Sequence, residues 1–167
     1  MEVAIVPIAE EHVMAFHSCL DVVARERCYL GFLAAPPLES MRRFVRANIE
    51  NGHVQLVALA DGTLLGWCDI LPHDKPGFTH CGSLGMGVHP DHRRRGIGKR
   101  LITEALHRAR KQGIERVELE VFASNPAARA LYEQMGFVVE GVKRRARKLD
   151  GRYEDIVLMA LFLSDGE

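Results

Sequence analysis

The spacing of apolar positions changes several times along the chain, and each change predicts an element. Val3 to Pro7 is an apolar run that predicts a short first strand. From Glu11 to Glu26 the apolar Val13, Phe16, Leu20 and Val23 recur at helical steps, which predicts a first helix. Cys28 to Pro37 breaks that period with two prolines and carries Tyr29 and Phe32, so a loop is expected there. Glu39 to Glu50 returns to helical spacing and is closed by Asn51-Gly52. Val54 to Ala60 and Thr63 to Leu71 are apolar runs joined by Asp61-Gly62, a hairpin turn signal. His80 to His89 predicts a fourth strand and Lys99 to Gln112 a third helix. Val117, Leu119 and Val121 alternate with Arg116, Glu118 and Glu120, so Arg116 to Val121 is expected to be a strand. Pro126 to Gln134 predicts a short helix with Gly136 just past its end. Phe137 to Arg147 and Tyr153 to Leu163 predict a hairpin around Asp150-Gly151. Strands and helices in this order imply an α/β (α+β) protein, a mixed sheet with helices on both faces. The regular alternation of a doubly wound fold is missing.

Composition narrows the class. A chain of 167 residues suits one domain, expected to span residues 1–167. The 22 basic and 22 acidic residues balance, so overall charge points to no nucleic-acid partner. No apolar run reaches the roughly 20 residues that span a bilayer, and the first residues lack a basic leader. A cytoplasmic protein without a membrane partner is expected. Cys19, Cys28, Cys68 and Cys81 form no C-x-x-C pair and fit reduced thiols. The eight histidines show no H-E-x-x-H spacing, so no metal site is expected.

The strongest chemical signal lies between the fourth strand and the third helix, in Val88-His89-Pro90-Asp91-His92-Arg93-Arg94-Arg95-Gly96-Ile97-Gly98-Lys99. A basic, glycine-bearing turn opens a helix whose apolar stripe is Leu101, Ile102, Ala105, Leu106 and Ala109. Unpaired N–H groups and a partial positive charge at such a helix start suit a phosphate. Gly96 and Gly98 let the main chain approach an anion, successive N–H groups can form a nest, and the arginines can add charge-assisted hydrogen bonds. Two other phosphate loops do not fit. A Walker A loop needs Gly where Arg93 stands and Ser or Thr where Arg100 stands. The dinucleotide fingerprint needs a third glycine where Leu101 stands.

Here the sequence resembles the GNAT superfamily of N-acetyltransferases. Arg93-Arg94-Arg95-Gly96-Ile97-Gly98 matches that family's coenzyme A signature, Gln/Arg-x-x-Gly-x-Gly/Ala. Asn125-Pro126-Ala127-Ala128-Arg129-Ala130-Leu131-Tyr132-Glu133-Gln134-Met135-Gly136-Phe137 matches its later N-x-x-A-x-x-L-Y-x-x-x-G-F motif. The likeness is strong from Gly82 to Leu163, and over the first 50 residues it rests only on the pattern of elements. It implies a mostly antiparallel sheet of seven strands, splayed between the fourth and fifth, with acetyl-coenzyme A as cosubstrate. It places the pyrophosphate on the main chain of Arg93, Arg94, Arg95, Gly96, Ile97, Gly98 and Lys99. It places pantetheine along Met86, Gly87 and Val88. Gly82, Gly85 and Gly87 in one strand suit a bulge or close approach by another backbone-like chain.

Asn125 precedes Pro126 and is the expected helix N-cap. It shares one helix face with Ala128 and Tyr132, at i, i+3 and i+7. The resemblance implies that Asn125 and Ala128 border the cofactor and that Tyr132 protonates the departing thiolate. Glu120, at the spacing seen in ribosomal-protein alanine N-acetyltransferases, is implied as the base. A main-chain N–H near Met86 or Val88 would meet the oxyanion.

The acceptor is less legible. The tail from Gly141 to Met159 looks like that of amino-acid and phosphinothricin-type acetyltransferases. A small primary amine, with an amino acid foremost, is therefore expected. A peptide α-amine is the alternative, and a non-catalytic acyl-coenzyme A module the rival from another class. Strict alternation through the basic run would put Lys143, Arg145 and Arg147 on one face and Arg144 and Lys148 on the other. No aromatics are interleaved to stack bases. The resemblance also admits a homodimer through the last strands.

Overall fold

The computed structural model describes residues 1–163. Its strands are β1 (Ala4–Pro7), β2 (Val54–Ala60), β3 (Thr63–Pro72), β4 (Cys81–Val88), β5 (Arg116–Phe122), β6 (Val138–Leu149) and β7 (Arg152–Phe162). Its helices are α1 (Val13–Arg25), α2 (Leu38–Glu50), α3 (Ile97–Lys111) and α4 (Pro126–Gln134). The seven strands form one sheet in the order β1-β2-β3-β4-β5-β7-β6, antiparallel except for the β4–β5 pair. Mixed topology, helices on both faces and the hairpin at Asp150-Gly151 all follow the sequence pattern. Boundaries move by at most two residues, as at α3, which begins at Ile97 rather than Lys99. Among the described residues, no helix is long and apolar enough to cross a membrane.

Alternation along the strands divides the interior in two. Leu56, Cys68, Ile70, Val117, Leu119, Val157 and Met159 face α3 and α4 in one core. Val57, Leu64 and Trp67 face α1 and α2 in the other, where Phe16 meets the Trp67 ring edge-on at 5.5 Å between centroids. β2 is the most continuously buried strand because helices cover both its faces. The apolar stripe of α1, Val13, Phe16, Leu20 and Val23, is buried as its spacing predicts.

The glycines of β4 do not mark a bulge, one of the two roles expected for them. No bulge interrupts the β3–β4 register, which runs from Gly66↔Val88 to Pro72↔Gly82. Side chains of β3 fill the space instead. A Cβ at Gly87 would lie 2.3 Å from the Trp67 ring, and one at Gly82 would lie 2.8 Å from Ile70 Cγ2. Gly87→Ala is expected to destabilise the protein by about 1–3 kcal/mol through overpacking against the indole. Urea unfolding measures this, and an unchanged midpoint would show that Trp67 moves freely.

Candidate active site

β4 and β5 pair only at Cys81↔Arg116, Gly82↔Val117 and Ser83↔Glu118, and then part. The His73 N–H donates to the Cys81 carbonyl at 2.9 Å, and the His89 N–H to the Leu65 carbonyl at 2.8 Å. Antiparallel pairs exchange hydrogen bonds at alternate positions. Ser83, Gly85 and Gly87 therefore bond toward β3, and the main-chain groups of Met86 and Val88 point into the gap.

A cavity of about 540 Å³ occupies that gap. Met86, Gly87 and Val88 line it from β4, and Arg93, Arg94, Gly96, Ile97, Gly98 and Lys99 from the loop and the start of α3. Glu120 borders it from β5, and Asn125, Ala128 and Tyr132 from α4. The structure thus brings together every site residue expected from sequence except Arg95, which is exposed and outside the cavity wall.

The loop before α3 is shaped for an anion. A 3₁₀ turn over Pro90–His92 is capped by His89, whose Nδ1 accepts from the Asp91 N–H at 3.2 Å. Arg94 and Gly96 take left-handed φ values of 63° and 77°. Gly96 is the residue type suited to that conformation at the cap of α3. The Arg100 N–H donates to the Gly96 carbonyl at 3.1 Å, so the N–H groups of Ile97, Gly98 and Lys99 precede the first helical bond. Gly98 answers a packing demand, since a Cβ there would sit 3.2 Å from both Leu131 Cδ2 and Met86 Cε.

The Arg93 side chain is engaged within the protein. Its Nε donates to the Val88 carbonyl at 3.0 Å, and its Nη1 to Glu26 Oε1 at 2.9 Å. Its guanidinium stacks over Tyr29 at 4.5 Å. Burial opposes this charge, but the hydrogen bonds and charge of Glu26 outweigh it and raise the Arg93 pKa. Arg93 pins the end of α1 to the loop and occupies the Val88 carbonyl, leaving Arg94 and Lys99 as the cations of the cavity wall without an ion pair among the described residues. Arg94, Lys99 and the N–H groups around them remain to meet an anion.

Tyr132 projects from α4 beneath the gap and is 8% exposed. Burial, with a smaller effect from the Cys68 thiol, pushes its hydroxyl well above the ordinary tyrosine range, so it stays protonated at neutral pH. Asn125 caps α4 as expected, its Oδ1 accepting from the Ala128 N–H at 3.2 Å.

The α1-facing side of β5, β6 and β7 is charged. Lys143 Nζ donates to Glu120 Oε1 at 2.6 Å. Glu118 takes Arg116 and His73, each at 3.2 Å. Arg147 lies over the Phe122 ring at 3.9 Å and donates to the Arg27 carbonyl at 3.2 Å. Arg27 in turn reaches Asp150 at 2.7 Å, tying the β6–β7 hairpin to the loop after α1. The expected alternation of the basic run fails at Arg145. The register shifts between Lys143 and Arg147, and Arg145 takes φ 53°. Its guanidinium then shares the Tyr153 ring with Lys148. Sequence reasoning also passed over His92, which lines the cavity with a buried Nδ1 that has no partner. It passed over Asp69 as well, although an acidic residue in the apolar run Leu64 to Leu71 was a visible signal.

Residues 20–137 match the model of the Acetyltransferase (GNAT) family. An L-amino acid N-acetyltransferase of Escherichia coli strain K12 is 31% identical over 146 residues, 87% of this chain and 90% of that protein. A ribosomal protein bS18 alanine N-acetyltransferase of the same organism is 38% identical over 81 residues, 48% of this chain and 55% of that protein. Among solved structures, a phosphinothricin acetyltransferase from Sinorhizobium meliloti in complex with acetyl-coenzyme A superposes with a TM-score of 0.92. It is 19% identical, covering 99% of this chain and 91% of that one. The chain belongs to the acetyltransferase (GNAT) family. It is an acyltransferase.

Glu26→Ala would strand the Arg93 guanidinium. Stability is expected to fall by roughly 1–3 kcal/mol, the range for losing a hydrogen bond to a charged group. Thermal unfolding checks this, and an unchanged melting temperature would remove the pinning role.

Proposed function

We propose that this chain acetylates the amino group of an amino acid or similarly small primary amine. The observation that carries the reading is the row of free N–H groups from Ile97 to Lys99 beside the β4–β5 gap. They suit the donor's pyrophosphate, with Arg94, Gly96 and Lys99 beside them and pantetheine running along Met86, Gly87 and Val88 toward Asn125 and Ala128. The bound donor supplies a thioester and a thiolate leaving group. Tyr132, held neutral by burial, protonates the leaving sulfur. A main-chain N–H of Met86 or Val88 receives the developing oxyanion.

Likeness over nearly the whole chain to an amino-acid acetyltransferase supports the acceptor class. The acidic Glu118 and Glu120 beside the basic Lys143 and Arg147 also suit an acceptor bearing both charges. Glu120, expected as the base, already holds Lys143 and is half exposed. That pairing favours a part in orienting the acceptor. A peptide α-amine is the second reading, favoured by the 38% identity with the ribosomal-protein enzyme over about half of each chain. We also infer a homodimer through β6, an edge strand that exposes Val138, Val139 and Val142.

Release of free coenzyme A thiol across a panel of amino acids, polyamines and short peptides tests the acceptor class. Turnover is expected with amino acids, and turnover confined to peptides would overturn the small-amine reading. Tyr132→Phe is expected to lower kcat by about 10²-fold or more, as loss of a proton donor does, while acetyl-coenzyme A affinity stays the same. An unchanged kcat would remove Tyr132 from the acid role.

A further inference from the structure

We propose that Asp69 is the catalytic residue that takes the proton from the incoming ammonium, a role that rests on the acetyl-transfer reading above. Asp69 lies on β3 directly across from Gly85, and its Oδ1 would be 3.3 Å from a Cβ at that position. Gly85 precedes Met86, whose main chain faces the gap. β4 presents only glycines, Gly85 and Gly87, on this face beyond Ser83. No β4 side chain therefore separates the Asp69 carboxyl from the gap, and the Trp67 ring lying over Gly87 forms the adjoining floor.

The surroundings of Asp69 set it apart from the other carboxylates here. Glu118 and Glu120 are held by cations, whereas desolvation alone acts on Asp69 and pushes its carboxyl up to about 7. A proton acceptor works best near the operating pH. The groups packed around it leave it unpaired. β2 contributes neutral Gln55, directly opposite, whose Nε2 is buried without a partner. The buried side of α1 contributes one titratable group, the Cys19 thiol, pushed up to about 12 by burial, and that of α2 contributes none. Cys68, next in the chain, is raised far above the ordinary thiol range and stays neutral. His73 at the end of β3 is engaged by Ser83 and Glu118.

The proton balance closes. Asp69 carboxylate takes one proton from the acceptor ammonium and passes it to solvent. The freed nitrogen pair forms the C–N bond at the acyl carbon. As the C–S bond breaks, Tyr132 gives its proton to sulfur and regains one from the new amide nitrogen. The net products are the N-acetylated amine, coenzyme A thiol and one released proton.

The test is Asp69→Asn, with Glu120→Gln in parallel. In the wild type, kcat/KM should rise with pH through about 7 regardless of the acceptor. Asp69→Asn should lower kcat/KM at pH 7 by about 100-fold or more and leave acetyl-coenzyme A affinity unchanged. Its pH limb should move up to the acceptor's own ammonium. Glu120→Gln should keep the limb near 7. Thermal unfolding supplies a readout apart from turnover. A carboxyl raised in the folded state favours folding below its unfolded pKa and loses that contribution as pH rises from about 4 to about 7. Asp69→Asn should therefore melt at or above the wild-type temperature at pH 8. A variant with wild-type kcat/KM and limb would overturn the Asp69 role while leaving acetyl transfer intact, as would transfer of the limb's loss to Glu120→Gln. Absence of thiol release by the wild type with every amine would instead bring down the acetyl-transfer reading, and this role with it.

Discussion

The parting of β4 from β5 after three paired residues is the constraint on which the site depends. Most strands in this sheet satisfy their main-chain groups with neighbours on both sides. Beyond Ser83, β4 has a neighbour only at β3, and Met86 and Val88 direct polar groups into an opening. Buried main-chain groups without partners are unfavourable, so such a gap persists only if something fills it. Part of the demand is met internally, where Arg93 caps the Val88 carbonyl. The remainder forms an edge for a chain of amides, and α3 begins at the mouth of the opening with its own N–H groups unpaired. Strand edge and helix start together make one extended polar surface.

That surface divides two chemically different sides. Toward α3 and α4 lie the apolar core, the buried Tyr132 hydroxyl and the packed contacts of Gly98 with Leu131 and Met86. Toward α1, the sheet beyond Trp67 carries Asp69, Glu118, Glu120, Lys143 and Arg147. The β6–β7 hairpin, tied by Arg27 and Asp150, closes one end of this side. A donor thioester held at the opening would have a proton donor on one side and proton acceptors on the other. Amine addition and thiolate departure need those groups separated, because a directly paired acid and base would neutralise each other.

Charge is distributed accordingly. Arg93 is committed to Glu26 and Tyr29, Glu120 to Lys143, and Glu118 to Arg116 and His73. Among the described residues, Arg94 and Lys99 on the cavity wall and Asp69 on β3 have no partner of opposite charge. Local pairing thus sorts a chain of zero net charge into a positive cavity wall at the start of α3 and an unpaired carboxyl on β3.

By itself the sequence determined what depends on local spacing. The helical stripe of α1, the alternation of β5, the Asp61-Gly62 and Asp150-Gly151 turns, the Asn125 cap and the glycine-bearing start of α3 are all local rules. They were legible because period, cap and turn chemistry act within a few residues. Most of the cavity-lining residues lie in or beside two contiguous motifs. Tertiary structure decided which charges remain available. Arg93 and Glu26 lie 67 residues apart, and their pairing makes the Arg93 side chain a brace. A register shift opposite β7 turns Arg145 away from Lys143 and Arg147. Asp69 reads as one polar letter in an apolar strand until β4 brings Gly85 against it. Desolvation and ion pairing are set by neighbours distant in sequence, and no local pattern encodes them.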